Sequence, residues 1–283
     1  MVGVLYEPFV ENLFMQRALA AGLLVAVAGA VVGTFIVLRG LAFLGDALAH
    51  GVLPGIATAL LLGLPSLAGA AVGALVMVAG VATITRRSRL SADTAIGLLF
   101  VGMLALGVVI VSRSASFAGD LTDILFGEIL GTSHRDILIQ VGATAGVVLV
   151  TLVCARAFLL LSIDPEQAEV AGFPAARYHA IMLALIAVTV VVSFTTVGTL
   201  LVFGMLVAPA ATGALLARRL GTMMGIATGT GALSVVVGLL MSYHFDLAAG
   251  ASVVLVAVAI FLVVLVARGL RSGAPAADLP HGH

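Results

Sequence analysis

Between Gly51 and Thr85 the chain runs for 35 residues without a charged side chain, and between Ala180 and Ala217 for 38. A hydrocarbon core about 30 Å thick takes roughly 20 helical residues to cross. Each run is therefore too long for one crossing and long enough for two. Each is also interrupted near its middle, by Gly63-Leu64-Pro65-Ser66 in the first and by the polar stretch Ser193 to Gly198 in the second. With 62% hydrophobic and 9% charged residues overall, against about 25% charged in a soluble domain, the chain cannot cover itself with polar surface. The runs are continuous rather than alternating, which argues against a transmembrane β-barrel. The expected fold is an all-α polytopic membrane protein.

Nine spans are expected, at about 18–38, 42–62, 66–85, 94–112, 137–160, 179–196, 199–217, 221–242 and 247–267. A re-entrant break within 180–217 would reduce them to eight. Residues 1–16, with Phe9, Leu13 and Phe14 against Glu7, Glu11 and Gln16, read as a short interfacial helix. No basic n-region precedes the first apolar run, so no cleavable signal peptide is expected. Ser91 or Asp93 suits the N-cap of the fourth span, and Pro209 is expected to kink the seventh. The stretch LTDILFGEIL, residues 121–130, has helical apolar spacing and reads as an amphipathic surface helix. Glycine pairs at packing distance (Gly29/Gly33, Gly51/Gly55, Gly69/Gly73, Gly225/Gly229) point to tight bundling. Residues 1–271 form one membrane domain, and 272–283 a disordered tail that ends in His281 and His283, a weak metal-binding pair at most.

All 13 basic residues are arginines. If Arg86, Arg87 and Arg89 lie in the cytoplasm and nine spans alternate, ten of the 13 fall on that side; Arg17, Arg113 and Arg135 do not. The positive-inside rule then places the N-terminus outside and the C-terminus in the cytoplasm. The absence of lysine excludes a Walker-type phosphate loop, which requires G-x-x-x-x-G-K-[ST]. The single cysteine, Cys154, excludes an internal disulfide and a thiolate metal cluster. Zero net charge gives no reason to expect nucleic acid as a partner.

Against this background Asp46 and His50 stand out, in LAFLGDALAHGVLPG (Leu41 to Gly55). Four residues apart, they share a helix face, and an ionisable group in hydrocarbon costs a few kcal/mol on insertion scales. Two readings fit the pair. A carboxylate oxygen with an imidazole nitrogen suits Mn(II), Fe(II) or Zn(II) in a metal or proton pathway. Alternatively the pair is an interhelical lock, with Asp46 bonded to a neighbouring helix and His50 to a backbone carbonyl. Two ligands do not close a metal site, so a pathway needs more from another helix, a second copy or water. The metalloprotease pattern H-E-x-x-H does not occur.

Asp164 to Pro174 (DPEQAEVAGFP) carries a full set of helix punctuation: Asp164 as N-cap, Pro165 at N1, Glu166 and Glu169 on the turns, Gly172 at C′ and Pro174 as stop. A rigid acidic helix between two spans is either a capped connector or a surface on which a soluble motor can push. On the outer side, His244 and Asp246 in YHFD, and Asp120, Asp123, Glu128 and His134, are candidates for cation entry or for receiving a delivery protein, or are plain surface charge. His179, at a cytoplasmic boundary, has no evident partner in the sequence.

The chain resembles the membrane permeases of bacterial ABC importers for zinc, manganese or iron. Four stretches carry the resemblance: Leu38 to Ala57, Leu90 to Phe100, Asp164 to Pro174 and Thr196 to Leu220. The resemblance implies a type II importer-like permease in the bacterial plasma membrane. It further implies a homodimer with the ion path between subunits, two copies of a separate cytoplasmic ATPase that binds the ATP, and an extracellular metal-binding protein that delivers the ion. It makes the Asp164–Gly172 segment the coupling helix and places Asp46 and His50 on the path. No covalently bound cofactor is implied; the divalent ion is cargo. A proton-coupled or channel-type metal transporter working without an ATPase accounts for Asp46 and His50 equally well, but not for the 164–172 helix.

Overall fold

The computed structural model describes residues 2–88, 90–112 and 129–272. These residues fold into α1 (Val2–Glu11), α2 (Leu13–Leu38), α3 (Ala42–Gly51), α4 (Leu53–Leu61), α5 (Ser66–Arg87), α6 (Ala92–Val111), a 3-10 turn (Ile129–Gly131), α7 (His134–Ile163), α8 (Pro165–Val170), α9 (Ala175–Val197), α10 (Thr199–Leu216), α11 (Leu220–Phe245) and α12 (Ala249–Ser272). Among the described residues there is no strand. In lipid this follows from the backbone: a helix satisfies its own N–H and C=O groups where no water can.

Eight segments are long and apolar enough to cross a membrane, α3 and α4 together forming one of them. The 18 residues of α10 span about 27 Å at 1.5 Å per residue and form a shorter apolar helix beside them. The weak stretch at Ser193 to Gly198 turns out to be helical up to Val197; the break is confined to Gly198, at φ 80° and ψ 166°. A side chain at that φ would be strained, so the one glycine ends α9 and starts α10. The first span begins at Leu13 rather than near residue 18 and carries Arg17 inside it. Ser91 is the N-cap of α6, its Oγ accepting from the Thr94 N–H at 3.2 Å, and Asp93 takes the first turn. Pro209 lies within α10. Of the expected amphipathic stretch 121–130, residues 121–128 lie outside the described residues, and its last two form the 3-10 turn. The tail from residue 273 also lies outside them.

The bundle is built around α2, of whose apolar stretch 72% is enclosed, against 22% for α6 and 28% each for α7 and α12. Met15, Phe35 and Ile36 of α2 are fully buried. The neighbours of α2 are α7, α10 and α11. With no water to expel between lipid-bathed helices, close backbone approach does the packing. A side chain at Gly33 would overlap the Leu206 carbonyl of α10, and side chains at Gly55 and Gly69 would each meet the other's carbonyl. Three of the four expected glycine pairs therefore sit at helix contacts. A side chain at Gly225 or Gly229 would meet nothing within 4 Å among the described residues; both are exposed on the outward face of α11. Buried hydroxyls close on their own helices, as in Thr34 to the Ala30 carbonyl at 2.7 Å and Thr212 to Ala208 at 2.9 Å.

Alternation of the crossings requires residues 39, 85, 92, 161, 165 and 175 to lie at one end of the bundle. Arg39, Thr85, Ala92, Leu161, Pro165 and Ala175 do share the lining of one cavity. This is the arginine-rich end.

Candidate functional site

One helical turn separates Asp46 from His50 on α3, and the side chains meet: His50 Nε2 lies 3.5 Å from Asp46 Oδ1. At about 1.5 Å per residue, counted from the start of α3 at Ala42, Asp46 is about 6 Å and His50 about 12 Å in from the arginine-rich end. The packing bears out this depth. The His50 ring stands edge-on to Phe100 at 5.8 Å, and Phe100 is likewise eight residues from the start of α6 at Ala92. Phe100 packs in turn on Phe43 at 5.6 Å. Behind the pair, Gly45 lets α3 approach Leu206 and Phe203 of α10.

The pair is open rather than locked. Side-chain exposures are 28% for Asp46 and 26% for His50. Among the described residues neither makes a hydrogen bond to another helix or to a backbone carbonyl, which is what a lock requires. The helix itself is interrupted immediately beyond: Val52 separates α3 from α4. Pro54 stands in the first turn of α4 and has no N–H to donate to the His50 carbonyl four residues earlier. A carboxylate and an imidazole thus fall within one turn, while the His50 carbonyl accepts from the Val52 N–H at the break. Such oxygen and nitrogen donors suit a first-row divalent ion. Among the described residues no group of three or more His, Cys, Asp or Glu side chains is placed to hold a metal ion.

The second candidate is α8. Asp164 Oδ1 accepts from the N–H groups of Glu166 at 2.9 Å and Gln167 at 3.2 Å. Pro165 occupies N1. Gly172, at φ 86°, lets the Phe173 N–H reach back to the Ala168 carbonyl at 2.9 Å, the glycine-closed helix end. Glu166, Glu169 and Val170 are exposed, Val170 at 91%, while Ala168 is buried. The helix therefore stands on one small residue and presents its remaining faces outward.

Aromatic side chains tie that helix to the core. Phe173 packs edge-on to Tyr178 at 5.5 Å, Tyr178 to Phe158 at 6.4 Å, and Phe158 to Phe35 of α2 at 5.3 Å. Nearby, Arg39 Nη1 lies 3.2 Å from His179 Nδ1, the partner that the sequence did not disclose. Burial lowers the Arg39 guanidinium from its ordinary value, though an arginine stays charged. Neither contact was legible beforehand, because the partners are far apart in the chain and no local period joins them.

His244 and Asp246 are not drawn together with the pair. Tyr243 to Phe245 complete the last turn of α11, and Asp246 caps it in the left-handed region at φ 52°. His244 and Asp246 are exposed. Asp120, Asp123 and Glu128 lie outside the described residues.

The comparisons with known proteins agree over nearly the whole chain. The model of the ABC 3 transport family matches residues 11–268. The chain is 36% identical over 256 residues to the manganese transport system membrane protein MntC of Halalkalibacterium halodurans, covering 90% of this chain and 88% of that one. It is 35% identical to the chelated iron transport system membrane protein YfeD of Yersinia pestis, covering 94% and 89%. Among solved structures it matches PsaBC from Streptococcus pneumoniae in complex with Fab, with a TM-score of 0.83, 35% identity and coverage of 94% and 95%. Carrying that family's pattern from the first crossing to the last, this multi-span helical membrane protein belongs to the ABC 3 transport family.

Proposed function

We propose that the chain is the permease subunit of an ATP-driven importer that moves a divalent transition metal ion, manganese or iron, across the plasma membrane. Zinc shares the same ligand chemistry. The observation that carries the reading is the Asp46–His50 pair: an acid and an imidazole 3.5 Å apart, a quarter exposed and, among the described residues, bonded to no other helix. An ionised group at this depth in the membrane is expensive, and a passing cation offsets the cost. The relatives' names, manganese transport and chelated iron transport, support the choice of cargo.

In this reading Asp46 supplies a hard anionic oxygen and His50 a neutral nitrogen. A second copy of the chain brings its own pair to the same path, which makes up the ligand number that one chain lacks. Two side-chain ligands per copy hold the ion loosely, so it can leave as well as enter. ATP is bound and hydrolysed by a separate subunit, since a chain without lysine carries no Walker loop. That subunit grips α8, whose capped, exposed form suits a lever. The aromatic series from Phe173 to Phe35 passes its movement to α2, and α2 packs on α10, which packs on α3 behind the pair. Access to Asp46 and His50 then alternates between the two sides, and an extracellular metal-binding protein presents the ion.

A transporter that works without an ATPase is the alternative, and the exposed α8 speaks against it. The test is radioactive manganese uptake into proteoliposomes containing the permease with or without its ATPase. Uptake that requires both the ATPase and ATP is expected. Equal uptake by the permease alone overturns the proposal.

A further inference from the structure

A cavity of about 460 Å³ opens between α5 and α9 at the arginine-rich end. Leu75, Val78, Ala82 and Leu183 wall its apolar part; Arg39 and His179 stand in its polar part. Leu75 is 67% exposed, and Ala79 and Ala180 of the same lining are exposed as well. The cavity therefore opens sideways from the bundle, toward the space that lipid occupies.

Its polar end carries the positive charge of Arg39. Arg39 Nη1 contacts His179 Nδ1 and, at 3.6 Å, the Met182 thioether. Neither group is an anion, and among the described residues no carboxylate pairs with Arg39. Two helices begin at the same place: Ala92, first in α6, and Ala175, first in α9, both line the cavity. Helix starts carry partial positive charge and free N–H groups, and that of α9 has no side-chain cap. The acids Asp93 and Glu166 of the adjoining first turns do not line it.

We propose that this cavity binds an anionic phospholipid of the leaflet at the arginine-rich end, its phosphate against Arg39 and an acyl chain along Leu75, Val78 and Ala82. A soluble anion leaves the apolar wall unused, whereas a lipid fits both halves. Basic pockets between membrane helices on the cytoplasmic side are known lipid-headgroup sites. The site rests on the membrane-spanning fold and not on the transport reading.

The test is native mass spectrometry of the permease–ATPase complex, stripped of lipid in mild detergent and offered phosphatidylglycerol, phosphatidylethanolamine or inorganic phosphate. Wild type is expected to retain phosphatidylglycerol in preference to phosphatidylethanolamine. Arg39→Gln should lower phosphatidylglycerol retention at least five-fold, and millimolar phosphate should not displace the lipid. Ala180→Leu, which narrows the mouth and leaves the charge in place, should lower it comparably and decides the matter should Arg39→Gln fail to assemble. Unchanged retention in the assembled variants overturns the proposal, as does full displacement by phosphate, which marks a soluble-anion site instead.

Discussion

Removing the cap of α8 tests whether this helix must be preformed to receive a motor. In Asp164→Ala, the N–H groups of Glu166 and Gln167 lose the carboxylate oxygen that accepts from them at 2.9 Å and 3.2 Å. Loss of an N-cap costs about 1 kcal/mol. The helix has six residues, far below the length that is stable alone, and buries only Ala168 among its side chains. Little else compensates, so its ordered population falls by up to about five-fold. Apparent affinity for a partner scales with that population. Titration of the ATPase against permease proteoliposomes should therefore shift half-saturation of metal uptake by about three- to five-fold, with the plateau preserved. Asparagine caps as well as aspartate, so Asp164→Asn should shift it less than about two-fold. An unchanged half-saturation in Asp164→Ala would refute preformation. Equal damage from Asn and Ala would show that charge, not capping, is what the partner reads.

Packing and site geometry yield two further predictions. Gly33→Val drives a side chain into the Leu206 carbonyl and should destabilise the fold by about 1–3 kcal/mol, whereas Gly225→Ala, with open space around it, should leave thermal unfolding in detergent nearly unchanged. Phe100→Ala removes the ring that flanks His50 at 5.8 Å; it should raise the KM for metal uptake about three- to ten-fold, roughly 1 kcal/mol, at nearly constant maximal rate, with Phe100→Tyr close to wild type.

Much of this was legible because hydrocarbon is a strict solvent. Long uncharged runs located the crossings, and the punctuation around Asp164 marked α8 to within two residues. Asp46 and His50 were visible because nothing else in that run is charged. The depth of the pair could be counted from the helix start, but its openness could not: only the packed structure shows that no helix among the described residues bonds to it. The break at Gly198 was blurred in sequence because Ser193 to Val197 is polar enough to suggest a loop, yet a backbone in lipid stays helical until a residue tolerates positive φ. Tertiary links such as Arg39 with His179, or Tyr178 with Phe158, join residues with no local period in common. Gly225 and Gly229 show the converse. Their spacing is that of a packing pair, but a side chain at either would meet nothing within 4 Å among the described residues.

The central claim is that the metal passes along Asp46 and His50. ATP-driven manganese uptake by the full permease–ATPase complex, measured for wild type, Asp46→Ala and His50→Ala alongside co-purification of the two subunits, tests it most directly. Both variants should lose uptake while still binding the ATPase as wild type does. Wild-type uptake in both would contradict the account.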